Sequence, residues 1–199
     1  MPLPKTIQKA DSEVLFEGDF IRVRTEDHWE YVERRKSSGV VAILAVTDNQ
    51  ELILVEQFRF PVNKRVIATP AGLAGDIKGQ EGESLVEAAR RELLEETGFE
   101  AQAMEYLTVG PTSAGLSTEL VTLFRAWGLK RVSGGGGDNS ENIQVHVVPL
   151  VSLKPWLESK RSEGCLVDYK VYAALYLSEI TCTGKAIRNG DLALKLKVP

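Results

Sequence analysis

The sequence predicts an α+β fold organised around a mixed sheet. Three observations lead there. Segments with the two-residue alternation of strands outnumber segments with helical spacing. The helical segments are few and do not follow every strand, as a regular βαβ repeat would require. The chain has 199 residues, 43% apolar and 26% charged, which suits one domain with a small appendage.

Taken in order, residues 1–11 are polar and read as a frayed start. Residues 14–16, 20–25 and 29–35 read as short strands, with turns at Glu17-Gly18-Asp19 and Glu26-Asp27. They form a small amino-terminal antiparallel region, 1–37, too slight to bury a core alone. Residues 40–47 and 51–59 form a stronger hairpin around Asp48-Asn49. A helix spans 85–97, and residues 104–109 and 120–126 are strands. Residues 133–140 hold four consecutive glycines and are expected to be a mobile loop. A strand at 143–149 and helices at 152–162 and 168–180 complete a main domain over 38–180. The tail, 181–199, alternates Leu192, Leu194, Leu196 and Val198 with Ala193, Lys195 and Lys197, as a strand does.

The net charge of −4 does not favour nucleic-acid binding. Residues 81–96 contain six Glu and two Arg, so this one segment carries a net −4 and the remainder is balanced. Cys165 and Cys182 form neither a disulfide framework nor a zinc motif. With no signal peptide and no apolar run of spanning length, the expectation is a cytoplasmic protein with reduced thiols and no membrane partner.

The acidic segment carries the chemistry. On a helix Glu92, Glu95 and Glu96 stand at i, i+3 and i+4, on one side. Leu85, Val86, Ala89, Leu93 and Thr97 make an adjoining face that can meet a core. Like charges at this spacing destabilise a helix by a few tenths of a kcal/mol per pair. A divalent cation would neutralise them, and Mg²⁺ characteristically takes one or two carboxylates together with substrate phosphates.

Glu83, seven residues, then Arg91-Glu92-Leu93-Leu94-Glu95-Glu96-Thr97-Gly98-Phe99 resembles the Nudix box, Gly-x5-Glu-x7-Arg-Glu-U-x-Glu-Glu-x-Gly-U. One position departs: the first glycine of the pattern falls on Ile77, with Gly72, Gly75 and Gly79 nearby. If Gly72 is its counterpart, the loop 73–82 is five residues longer than usual. The resemblance implies the Nudix fold, an α/β/α sandwich. It also implies Mg²⁺ or Mn²⁺ held by Glu92, Glu96 and the Ala71 carbonyl. Glu95 would stand behind these ligands or bridge to the metal, with Arg91 and Glu83 orienting the carboxylates.

Glu56-Gln57-Phe58-Arg59 and Pro70-Ala71-Gly72 are similar to strings in the ADP-ribose and nucleotide-sugar pyrophosphatases of that family. This marks Arg59 as a diphosphate ligand. Ser113-Ala114-Gly115-Leu116-Ser117-Thr118-Glu119 resembles a further substrate loop and marks Glu119; Ala114 and Ala68 replace a Pro and a Glu of the subgroup. Glu141 aligns with the subgroup's water-activating glutamate, with Asp138 as the alternative base. Trp29 would stack a nucleobase across a homodimer, or pack in its interface. His28, His146 and Trp156 are expected to be structural. The implied activity is metal-dependent hydrolysis of nucleoside diphosphate sugars, ADP-ribose included. The other readings are another Nudix specificity, such as dinucleoside polyphosphates, and a regulatory module that binds a nucleotide sugar without cleaving it.

Overall fold

The computed structural model describes residues 12–137 and 142–177. The expected tail strand, Glu141 and Asp138 lie outside the described residues.

Three short strands, β1 (Glu13–Glu17), β2 (Ile21–Glu26) and β3 (Trp29–Arg34), form an antiparallel sheet in the order β1-β2-β3. None of its residues is fully buried. The sheet joins the body through Val32, whose N–H donates to Leu116 O at 2.8 Å while its carbonyl accepts from Thr118 N at 3.0 Å.

The second sheet has eight strands. β4 (Gly39–Val46), β5 (Glu51–Arg59), β6 (Lys64–Ala68), β7 (Ala71–Ala74), β8 (Phe99–Pro111), β9 (Leu120–Arg131), β10 (Ile143–Pro149) and β11 (Leu166–Val167) contribute to it. The main path runs β11-β6-β5-β4-β9-β8, with β10 on β5 and β7 on β4. The β4–β9 and β11–β6 pairs are parallel and the other pairs antiparallel, so the sheet is mixed as expected. Helix α1 (Leu85–Thr97) packs on one face; α2 (Leu153–Ser162) and α3 (Lys170–Leu177) pack on the other.

The period of two decides this sandwich. Along β4, Val41, Ile43 and Ala45 point to the α1 side, whereas Ala42 and Leu44 point to the α2–α3 side. β5 continues the pattern with Ile53 on one face and Leu52 and Leu54 on the other. All eight are fully buried. Burying a Leu or Ile contributes about 1.5–3 kcal/mol, so β4 and β5 form the spine. The ladder β8–β9 is longer than the expected strands, because polar segments at both ends keep pairing across a bulge between Tyr106 and Thr108. β6, β7 and β11, absent from the sequence reading, are too short to show periodicity.

Candidate active site

Helix α1 is fixed at both ends. Ser84 caps its start: the Glu87 N–H donates to Ser84 Oγ at 3.3 Å, and Glu87 Oε2 accepts from Ser84 N at 3.1 Å. Such a capping box contributes about 1 kcal/mol. Gly98 ends the helix in the left-handed region at φ 75° and donates to Leu94 O at 2.8 Å. Ala88, Ala89, Leu93 and Thr97 are buried against the sheet, but Val86 is exposed rather than core-facing.

This anchoring turns Glu92 and Glu96 into a cleft of about 480 Å³. Ala71, Gly72, Arg59 and Glu119 line the same cleft, so five expected site residues meet there. Glu96 is 3% exposed, and its Oε2 accepts from the Ala71 N–H at 3.0 Å. The Glu92 carboxylate lies directly over Gly72. A Cβ at that position would stand 1.9 Å from Glu92 Cδ, so only glycine leaves room. Burial pushes the Glu92 carboxyl up to about 7 despite the opposing pull of Arg91.

Arg91 lies behind this pair and uses its whole guanidinium. Nε and Nη2 donate to Glu83 Oε1 and Oε2 at 2.9 and 3.0 Å, and Nη1 donates to Glu92 Oε1 at 2.9 Å and Glu95 Oε2 at 3.0 Å. Nη2 also reaches Leu73 O at 2.8 Å. The Arg91 bond holds the Glu83 carboxyl below its usual range, and the same pairing raises Arg91. The bidentate fork is specific to Arg.

Three further expected site residues are already engaged or lie outside the cleft. Glu95 does not line the cleft; it is half exposed and turns to Arg91. Consequently no group of three or more acidic, His or Cys side chains is gathered closely enough to hold a metal ion among the described residues. The acidic donors reduce to Glu92 and Glu96 beside the Ala71 backbone, an all-oxygen set that suits a hard cation. Glu119 lines the cleft already engaged, accepting from Arg34 Nη2 at 2.6 Å and Nε at 3.0 Å. Trp29 is 53% exposed on the small sheet and is not among the residues lining the cleft; Gly115 lies beside it. His146 is structural: its Nε2 meets Glu56 Oε2 at 2.9 Å, and its ring packs edge-on to Trp156.

Sequence reasoning missed Arg34, Asp76, Asp168 and Lys170, all of which line the cleft. Asp168 bonds both the Lys170 backbone N–H and its ammonium, at 2.8 and 2.5 Å. The Asp168-x-Lys170 spacing marks a helix start, not a cleft.

The profile of the NUDIX domain matches residues 36–168. The chain is 35% identical over 174 residues to an ADP-ribose pyrophosphatase of Bacillus subtilis, covering 84% of this chain and 90% of that protein. It is 32% identical over 164 residues to a methanol dehydrogenase activator of Bacillus methanolicus, covering 79% and 84%. A crystal structure of an ADP compounds hydrolase superposes with a TM-score of 0.66 at 23% identity, over 87% of this chain and 94% of that one.

Proposed function

The chain belongs to the NUDIX family, and from that premise we propose that it hydrolyses the diphosphate linkage of nucleoside diphosphate sugars, ADP-ribose among them. The products are a nucleoside monophosphate and a sugar phosphate. The observation that carries this reading is the pairing, in one cleft, of the buried Glu96 and part-buried Glu92 carboxylates on α1 with Arg59 at the end of β5.

Members of this family generally use divalent metal ions. In our reading Glu92, Glu96 and the Ala71 carbonyl hold Mg²⁺ or Mn²⁺, which supplies Lewis-acid charge neutralisation to the diphosphate. Arg59 is offered to the substrate's diphosphate, while Arg34 and Lys170 reach the same cleft paired with Glu119 and Asp168. Arg91 and Glu83 orient Glu92 from behind, and Glu95 helps hold Arg91. Glu141 takes a proton from the attacking water, whose oxygen bonds to phosphorus as the bridging P–O bond breaks. The sugar phosphate or nucleotide then leaves as the anion.

The protein acts as a homodimer in this reading. The support is the small sheet, where Val14, Leu15, Phe16, Phe20, Ile21 and Trp29 are all exposed, Phe20 to 76%. Exposed apolar side chains gathered in one small region are consistent with an interaction surface. Trp29 then stacks the base in the partner's site or packs at the two-fold axis. No described helix is long and apolar enough to cross a membrane, and a cytoplasmic setting is part of this reading.

The test is a panel of ADP-ribose, ADP-glucose, UDP-glucose, GDP-mannose and diadenosine polyphosphates, with Mg²⁺ and with chelator. Metal-dependent release of nucleoside monophosphate from the sugar nucleotides is expected. Turnover confined to dinucleoside polyphosphates, or binding without cleavage, would replace this reading with one of its two alternatives.

A further inference from the structure

We propose that the glycine run after β9 positions the cleft carboxylates, by closing the carboxyl end of α1. By composition alone this stretch is a flexible linker. The described part of it, residues 133–137, is instead bonded to the helix that bears Glu92 and Glu96.

The last carbonyls of a helix lack partners within it. Gly98 supplies one for Leu94, and the glycine run supplies the next two. The Gly137 N–H donates to Glu95 O at 3.0 Å, and the Gly136 N–H donates to Glu96 O at 2.8 Å. Val132 and Ser133 add bonds to Gly98 O at 2.8 and 3.2 Å. Arg131 Nε holds the start of the run by donating to Ser133 O at 3.2 Å.

Glycine is needed for contact as well as conformation. A Cβ on Gly135 would lie 2.3 Å from the Thr97 carbonyl carbon, and one on Gly98 would lie 2.3 Å from Ser133 O. Gly135 also sits at φ 67°. The two backbones therefore touch with no side chain between them. Gly134 differs: a Cβ there meets nothing within 4 Å.

Glu96 is consequently held twice, its carbonyl by Gly136 and its carboxylate by the Ala71 N–H. The run also places N–H donors at the negative end of the α1 dipole, one residue from a carboxylate that the dipole would otherwise repel. Displacing the run would let the last turn relax and shift Glu96 against Glu92, one helical turn earlier, without altering either side chain. Gly135, Gly136 and Gly137 are thus positioning residues for the cation site. This rests on the proposal that Glu92 and Glu96 hold the cation.

The experiment is a Mn²⁺ titration of substrate-free protein for wild type, Gly134→Ala, Gly135→Ala and Glu96→Gln. Hydrogen exchange of the Gly136 and Gly137 amides is followed in wild type. Expected are wild-type affinity for Gly134→Ala, at least tenfold weaker Mn²⁺ binding for folded Gly135→Ala, and protected Gly136 and Gly137 amides. Weak binding by Glu96→Gln with unchanged binding by folded Gly135→Ala would overturn the positioning role alone. Unchanged binding by Glu96→Gln would overturn the cation assignment and this inference with it. Should Gly135→Ala fail to fold, the exchange rates decide: amides exchanging at open-loop rates overturn the proposal.

Discussion

Arg91 and Glu83 are joined by two parallel hydrogen bonds, at 2.9 and 3.0 Å, behind the cleft rather than inside it. Glu83 precedes α1 and Arg91 lies in its middle, so the pair fixes how the preceding loop meets the helix. The Gly75 N–H also reaches Glu83, at 3.4 Å. The first prediction follows from this fork. Glu83→Gln should cost about 1.5–3 kcal/mol of stability, the range for a charge-assisted hydrogen bond. Arg91→Lys should cost activity as well, because an ammonium cannot reach Glu83, Glu92 and Glu95 together. Urea unfolding and kcat/KM measure the two effects.

Glu96→Gln should leave the fold intact, since an amide oxygen can still accept from the Ala71 N–H. It removes the charge a cation needs. Turnover should fall at least 100-fold, about 3 kcal/mol in activation free energy, with little change in the thermal midpoint. Full-rate turnover would sink the assignment of Glu96.

Gly72→Ala should act through Glu92. The added methyl occupies the place of the Glu92 carboxylate, so that side chain must leave its position. Expected is a loss of Mg²⁺ or Mn²⁺ affinity of tenfold or more, read by titration, with a circular dichroism spectrum matching wild type.

Glu56 governs a pH dependence unconnected with the cleft. It is 4% exposed among Arg65, His146 and Lys160. Burial alone would raise its carboxyl, but hydrogen bonds from Arg65, His146 and Lys160 outweigh it and the net shift is downward. A depressed folded-state value means the stabilisation is present above the unfolded carboxyl value, about 4.5, and is lost as pH falls through the folded value. Glu56→Gln should cost about 2 kcal/mol at pH 7 and flatten the loss of stability below pH 4.5. Unfolding free energies at pH 7 and pH 3.5 check both.

Helix α1 was legible because its signals are local. The carboxylate spacing, the apolar face and Gly98 lie within one short segment, and local chemistry is what a sequence displays. β4 and β5 were legible by alternation. The cleft's other wall was not. Arg34 meets Glu119 across 85 residues, and Lys170 comes from the start of α3; neither local pattern announces that its side chain enters a cleft. The glycine run misled for a related reason. Its composition records conformational freedom but not the nearby helix end whose carbonyls consume its N–H groups. Glu95 shows how far spacing carries: it shares the helix side of Glu92 and, like it, accepts from Arg91, yet it is half exposed and outside the cleft.

Arg34 belongs to the small amino-terminal sheet, yet it lines the cleft and holds Glu119. That sheet is therefore not a detachable handle. A truncated chain beginning at residue 38 would keep the whole acidic helix and still lose a cation from the cleft. A chimera that exchanges this sheet between relatives would exchange part of the substrate's electrostatic surroundings along with it.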